Sequence, residues 1–337
     1  GVCARPAIAR AMIEGGVVGL ADARISNIER LRNAGFKCPI SMIRTPMPSQ
    51  LADVVRLCTT SFNTELDVIT GLDEMARGAG VIHNVILMVE MGDMREGILP
   101  QDLATVVRQT LKMKGIKLRG IGTNFACLGG PVPDSPTMER FSSLVDQIEK
   151  SCGVSAEIVS GGNSSNLPWA LGFNPSQRTN NLRLGEAILL GVDPATGSPI
   201  GGLKTDAFTL VAEVIECGIK PEVPYRAKTT PVTSLLHLVQ DNRLHVRSII
   251  ALGKQDTDTD ALIMPAGVAY VGATSDHMVV QSKNLGLQVG HELRFQLNYN
   301  ALMHAMAGSD ITKILMDELP ASPPFRGKRK GPNLALV

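Results

Sequence analysis

From the N-terminus to about residue 200, apolar positions alternate between two periods. Short β-rich runs at 17–21, 39–43, 58–62, 84–90, 118–124, 156–160 and 181–190 predict strands. Between them the spacing turns helical. Leu51, Val54, Val55 and Cys58 form one stripe, and Leu103, Val106, Val107, Thr110 and Leu111 form another. Ser135-Pro136 opens a helix that puts Met138, Phe141, Leu144, Val145 and Ile148 on one face. Ser26-Asn27-Ile28-Glu29 has the form of a capping box, with Gly35 placed as a C-terminal cap. Strand–helix repetition at this spacing predicts a parallel sheet with right-handed crossovers. The chain begins with a helical stretch at 6–14, not a strand. A closed β/α barrel needs eight strands, and an open seven-stranded sheet leaves two long unpaired edges. A first strand is therefore expected before Gly1.

After about Thr205 the rhythm changes. Runs at 208–216, 244–252, 268–272, 277–281 and 292–297 read as strands separated by Gly, Pro, Asp and Asn turns, and only 301–319 reads as a helix. The expected organisation is a β/α barrel over 1–205, a mostly β domain over 206–319 and a disordered tail over 320–337. That tail carries Pro323-Pro324, Arg326 and Lys328-Arg329-Lys330, so a basic binding segment is its alternative reading.

Composition narrows the partners. A formal net charge of +1 gives no electrostatic reason to expect nucleic acid or a membrane surface. No apolar run approaches the roughly 20 residues of a spanning helix. Six cysteines without CxxC pairing suit a reduced, cytoplasmic protein.

In a barrel of this type the chemistry sits at the C-terminal ends of the strands. Those ends carry Asp22, Arg24, Arg44, the run from Glu90 through Asp93, Arg95 and Glu96 to Gly97, Asn124 with Cys127, Ser160-Gly161-Gly162-Asn163-Ser164-Ser165, and Arg183 with Gly185-Glu186. The glycines and hydroxyls of the Ser160 run suit either a phosphate or a plain tight turn. Arg183 and Glu186 fall inside the run 181–190, where a buried ion pair is the bland reading, and Arg95 reads equally as a rim salt bridge. Asp256-Thr257-Asp258-Thr259-Asp260 lacks the glycine and downstream glutamate of a calcium loop.

Taken together, ADARISNIERL, ILMVEMGDMREG, GIGTNFACLGG, IVSGGNSSNL, NLRLGEAILLG, ALGKQDTDTDALIMP and VGATSDHMVV resemble the ornithine racemase branch of the alanine racemase-like enzymes that use pyridoxal 5′-phosphate (PLP). The matches keep their order from Gly1 to about Leu315. The resemblance implies a PLP-binding (β/α)8 barrel followed by a β-rich domain, head-to-tail homodimers, and racemisation of a free amino acid, ornithine or another basic one. It places Arg183 at the pyridine nitrogen. It puts Ser164 and the Gly185-Glu186 backbone, beside Gly162 and Asn163, at the phosphate, and Arg95 near the phenolic oxygen and the substrate carboxylate. An arginine does not give up its proton, so the ring nitrogen stays unprotonated and the ring becomes a weaker electron sink.

Several positions depart from the pattern. Asn124 stands where alanine racemase has a histidine, and Met88 where it has a carbamylated lysine. Gly253-Lys254-Gln255-Asp256 replaces a tyrosine-bearing turn. The second base is thereby open among Asp256, Lys254 and Cys127. Asp93, Glu96, Asp256 and Asp258 are candidates to meet a substrate cation. The cofactor lysine of the family directly precedes a segment like Gly1-Val2-Cys3-Ala4, and is expected there. A PLP-dependent decarboxylase of basic amino acids and a PLP-carrying regulatory protein are the competing readings. Arg183 argues against the first, and the second domain against the second.

Overall fold

Six of the seven early runs become parallel strands in the computed structural model, which describes residues 2–172, 178–221, 244–282, 286–315 and 335–336. They are β1 (Leu20–Asp22), β2 (Ile40–Met42), β3 (Thr60–Asn63), β4 (His83–Val89), β5 (Ile116–Thr123) and β6 (Ile158–Ser160), paired in that order. The helices α1 (Pro6–Glu14), α2 (Ile25–Asn33), α3 (Leu51–Leu57), α4 (Leu66–Gly78), α5 (Pro100–Thr110) and α6 (Ser135–Cys152) precede or link them. The chain divides into two compact units, one over Cys3–Leu203 and one over Lys204–Val337.

In the first unit β4 shows how the curled sheet is filled. Val85, Leu87 and Val89 turn to the helices and join Leu72, Leu103, Val107 and Phe141. Ile86 and Met88 turn inward and pack with Phe62, Ile43 and Ile158. The β4–β5 register slips between Val85 and Ile86, leaving Arg119 as the extra residue of a bulge. Gly120 follows the bulge and lies so close to β6 that a Cβ there would stand 1.8 Å from the Ile158 carbonyl oxygen.

Local signals explain most helix ends. Asp134 caps α6 by accepting the Thr137 amide at 2.8 Å, and Gly153 closes the helix at φ +66. Gly35 sits at φ +87 just past α2, as expected. The capping box at Ser26 does not form, because α2 begins at Ile25. The Asp22 carboxylate at the end of β1 accepts instead from the Arg24 amide (2.8 Å) and from Asn27 Nδ2 (3.0 and 3.1 Å).

The run 181–190 is corrected more deeply. Only Asn181 reaches the sheet, in an isolated parallel bridge to Ser160. Glu186–Leu190 is a helix, α8, closed by Gly191 at φ +69. A short apolar run reads alike as a buried strand or a buried helix, and here Gly185 and Gly191 punctuate a helical turn. A 3-10 turn over Ser164–Asn166 and the helix α7 (Leu167–Leu171) precede it.

The second unit is antiparallel. β7 (Leu210–Pro221), β8 (Leu244–Ile250), β9 (Leu262–Ile263), β10 (Val268–Ala273), β11 (Met278–Ser282) and β12 (Glu292–Leu297) run in the order β10-β11-β8-β7-β12-β9. The expected helix over 301–319 is shorter and starts earlier, as α9 (Tyr299–Ala307), with Asn298 capping it through the Ala301 amide at 3.0 Å. Gly308, Ser309 and Asp310 end it, and β13 (Thr312–Lys313) follows. The expected tail over 320–337 lies outside the described residues except for β14 (Ala335–Leu336), which pairs with β13 and β7. Among the described residues no helix is long and apolar enough to cross a membrane.

Candidate active site

The C-terminal ends of β3, β5 and β6 converge on one guanidinium. Arg183 enters on a loop whose amide bonds to the Gly162 carbonyl at 3.1 Å. Its Nη1 donates to Ser160 Oγ at 2.5 Å, and its Nη2 donates to the Thr123 carbonyl at 2.7 Å and to Asn124 Oδ1 at 2.5 Å. The charge lies 5.1 Å from the centre of the Phe62 ring. Burial pulls its pKa down to about 10, which still leaves it protonated at neutral pH. It makes no pair with Glu186, and among the described residues its Nε–H has no protein partner. Phe62 and Thr123 are the partners a reading by residue type passes over; Ser160 stands among the strand-end residues the sequence offered.

Asn124 extends the network outward. Its Nδ2 donates to Glu96 Oε1 at 2.9 Å. Glu96 also takes both ends of the Arg95 guanidinium, Nη2 at 2.8 Å on Oε1 and Nε on Oε2. Behind them Asp93 is buried; one of its oxygens accepts the Cys127 amide at 2.6 Å, and the other lies 3.8 Å from Arg95 Nε. Arg95 is thus a salt-bridged residue at the rim, yet its bridge leads inward to Arg183. Partial desolvation raises the Cys127 thiol above its usual value, and the Arg95 guanidinium opposes that rise. Asn163 Nδ2 donates to Cys127 Sγ and to the Phe125 carbonyl, tying the loop after β6 to the loop after β5.

The run 160–165 is built around one free hydroxyl proton. Ser164 Oγ accepts from the Gly185 amide (3.1 Å) and the Ala187 amide (3.2 Å), so its own O–H remains to donate. Gly162 has φ +129, and a Cβ there would strike Asn166 Oδ1 at 1.9 Å. The glycine is required by the Asn166 side chain, not by space for a ligand. Burial, with Asp193 nearby, raises the Glu186 carboxyl.

Asp256 and Lys254 belong to the second unit, on the loop after β8. Asp256 Oδ2 accepts the Gly253 amide at 2.8 Å. Burial raises the Asp256 carboxyl, the Gly253 bond opposes this, and Asp276 and Asp310 push it further up. Lys254 is exposed at its side chain and fixed through its backbone, which donates to the Thr274 carbonyl.

Residues 6–194 match the family model described as alanine racemase, N-terminal domain. The chain belongs to the alanine racemase family. An ornithine racemase of Acetoanaerobium sticklandii is 32% identical over 94% of this chain and 90% of its own length. A lysine racemase of Thermotoga maritima is 34% identical over 92% and 87%. This member of the alanine racemase family is accordingly an isomerase of the racemase type. Solved alanine racemases carry the same fold. That of Clostridium difficile gives a TM-score of 0.68 at 19% identity, over 89% of this chain and 80% of the other. A D-threonine aldolase of Filomicrobium marinum also reaches 0.68, at 17% identity over 91% and 80%, so likeness of fold alone does not select the reaction.

Proposed function

We propose that the protein is a PLP-dependent racemase of a basic free amino acid, ornithine or lysine. The observation that carries this reading is Arg183, a protonated guanidinium held by Ser160, Thr123 and Asn124 with its Nε–H unspent. An obligate donor suits a pyridine nitrogen that must stay unprotonated. The fit extends to Ser164, whose unspent proton suits a phosphate oxygen beside Gly162, Asn163, Gly185 and Glu186. PLP, when bound, draws electron density from the α-carbon so that its proton can leave.

In this reading Arg95 binds the substrate carboxylate, and Arg183 restrains electron withdrawal enough to favour proton return over side reactions. One proton-transferring group is the family's cofactor lysine; among the described residues no lysine ends a parallel strand. The second is Asp256, with Lys254 and Cys127 as rivals. Its raised carboxyl supports that role, because a general acid–base works best near the operating pH. Glu96 is occupied by Asn124 and Arg95, and Asp93 is buried with its second oxygen turned to Arg95, which leaves Asp258 for the substrate's side-chain cation. The loop 253–260 is proposed to serve a partner copy in a head-to-tail dimer. Six free cysteines support a cytoplasmic setting.

The test is to load the intact protein with PLP and supply L-ornithine and L-lysine separately. Optical rotation decaying to zero without carbon dioxide release is expected, with an absorbance near about 420 nm that is a property of the bound cofactor. Stoichiometric carbon dioxide would make the protein a decarboxylase. A colourless protein that leaves both substrates unchanged would overturn the reading.

A further inference from the structure

Two arginines of the site, one assigned to the cofactor ring and one to the substrate carboxylate, share a single carboxylate. Glu96 Oε1 takes Arg95 Nη2 at 2.8 Å and Asn124 Nδ2 at 2.9 Å, and Asn124 Oδ1 takes Arg183 Nη2 at 2.5 Å. The chain has only one possible polarity. A guanidinium only donates and an ionised carboxylate only accepts, so the amide between them must offer its oxygen to Arg183 and its NH2 to Glu96. Asn124 is buried, which makes an unsatisfied amide there costly.

We propose that Glu96 is a positioning residue that couples the two arginines, orienting Arg95 directly and Arg183 through Asn124. Arg95 has no other close acceptor among the described residues. Asp93 Oδ2 stands 3.8 Å from its Nε, beyond hydrogen-bond distance, while Oδ1 holds the Cys127 amide. Removing the Glu96 carboxylate frees Arg95 to swing toward Asp93. It also removes the acceptor that fixes the Asn124 amide, so the Asn124 oxygen is no longer held toward Arg183. Arg183 keeps Ser160 and the Thr123 carbonyl, so it stays in the barrel but loses one direction of restraint. The coupling makes grip on the ring nitrogen depend on the state of the substrate arginine, although the two belong to different loops.

This inference rests on the assignment of Arg183 to the cofactor ring, and the experiment separates the two. Apoprotein is titrated with PLP and with an analogue in which C–H replaces the ring nitrogen, and KM and kcat are measured for L-ornithine and L-lysine. The wild type should prefer PLP by about ten-fold, the scale of one charge-assisted hydrogen bond. Glu96→Leu, which leaves no acceptor at that position, should lose most of that preference and raise KM by about ten-fold or more while its melting temperature stays close to wild type. Asn124→Leu should lose the preference with a smaller effect on KM, since it does not touch Arg95. Asn124→His should restore the preference, because a neutral imidazole also accepts on one nitrogen and donates from the other. A wild type without preference would overturn the placement of Arg183 at the ring. Glu96→Leu with unchanged KM overturns the coupling, whatever the ring preference. A Glu96→Leu protein that retains the full wild-type preference also overturns it.

Discussion

Asp256 is the residue whose chemistry is least fixed by its surroundings and most open to trial. Its carboxyl is raised by burial and by two neighbouring carboxylates, against one backbone amide that favours the ionised form. If it serves one face of the α-carbon and the cofactor lysine the other, Asp256→Asn should split the two enantiomers. In deuterated water, α-proton exchange from one enantiomer should fall by about 10²-fold or more, while exchange from the other remains measurable. Equal loss from both, with PLP still bound, would mean that Asp256 only shapes the loop through Gly253. At this scale the strand ends were legible because they are enriched in residue types with few structural uses at a barrel mouth. The supporting partners were not. Phe62 lies near the end of β3 and looks like any core aromatic. Thr123 contributes a carbonyl, which no residue type announces. Glu96 was visible as a carboxylate, but its engagement with Asn124 depends on loops 28 residues apart in sequence meeting in space.

Among the elements, the β5–β6 pair carries the tightest constraint. The bulge at Arg119 brings Gly120 against Ile158, and Arg119 itself pairs with Glu157 at 2.7 Å. A methyl group at Gly120 cannot fit without parting the two strands that deliver Thr123 and Ser160 to Arg183. Gly120→Ala should cost about 2–4 kcal/mol in a denaturant melt and weaken PLP retention in parallel. An unchanged midpoint would mean that β6 can shift freely. Short β-rich runs located all six parallel strands within a few residues, because helical spacing or turn residues bound each of them. The failures share a cause. The stretch ILLG is as apolar as a buried strand, yet Gly185 and Gly191 bound a single helical segment of five residues. Beyond Ala307 the apolar spacing continues, but Gly308 interrupts the backbone pattern before the side chains do.

At the level of the whole molecule, resistance to acid should be limited by one imidazole. His83 is buried at the start of β4, its Nε2 2.8 Å from Ser61 Oγ, and burial lowers its pKa to about 4. Its ordinary value is about 6.5. Between these values the unfolded chain binds a proton that the folded chain refuses. The stabilising contribution is therefore complete above about pH 6.5 and is lost as the pH falls toward 4, by at most roughly 3 kcal/mol. His83→Gln should flatten the melting temperature against pH across that window. A wild-type profile no steeper than the variant's would place the acid-sensitive groups elsewhere. A β/α barrel followed by a mostly β domain was legible because parallel and antiparallel sheets leave different apolar patterns.

Arg183 lies over the Phe62 ring and is only partly exposed, whereas the Arg95 side chain is 42% exposed at the rim. Mobile ions reach the second far more readily than the first. At 1 M ionic strength the screening length shrinks to about 3 Å, so attraction of an amino-acid carboxylate to the rim weakens while the interior contact is shielded from counterions. Raising potassium chloride should lift KM for ornithine several-fold and leave the rate of PLP loss nearly constant. The enzyme would then answer to the salinity of its surroundings through substrate capture alone, with its cofactor insulated from the same change.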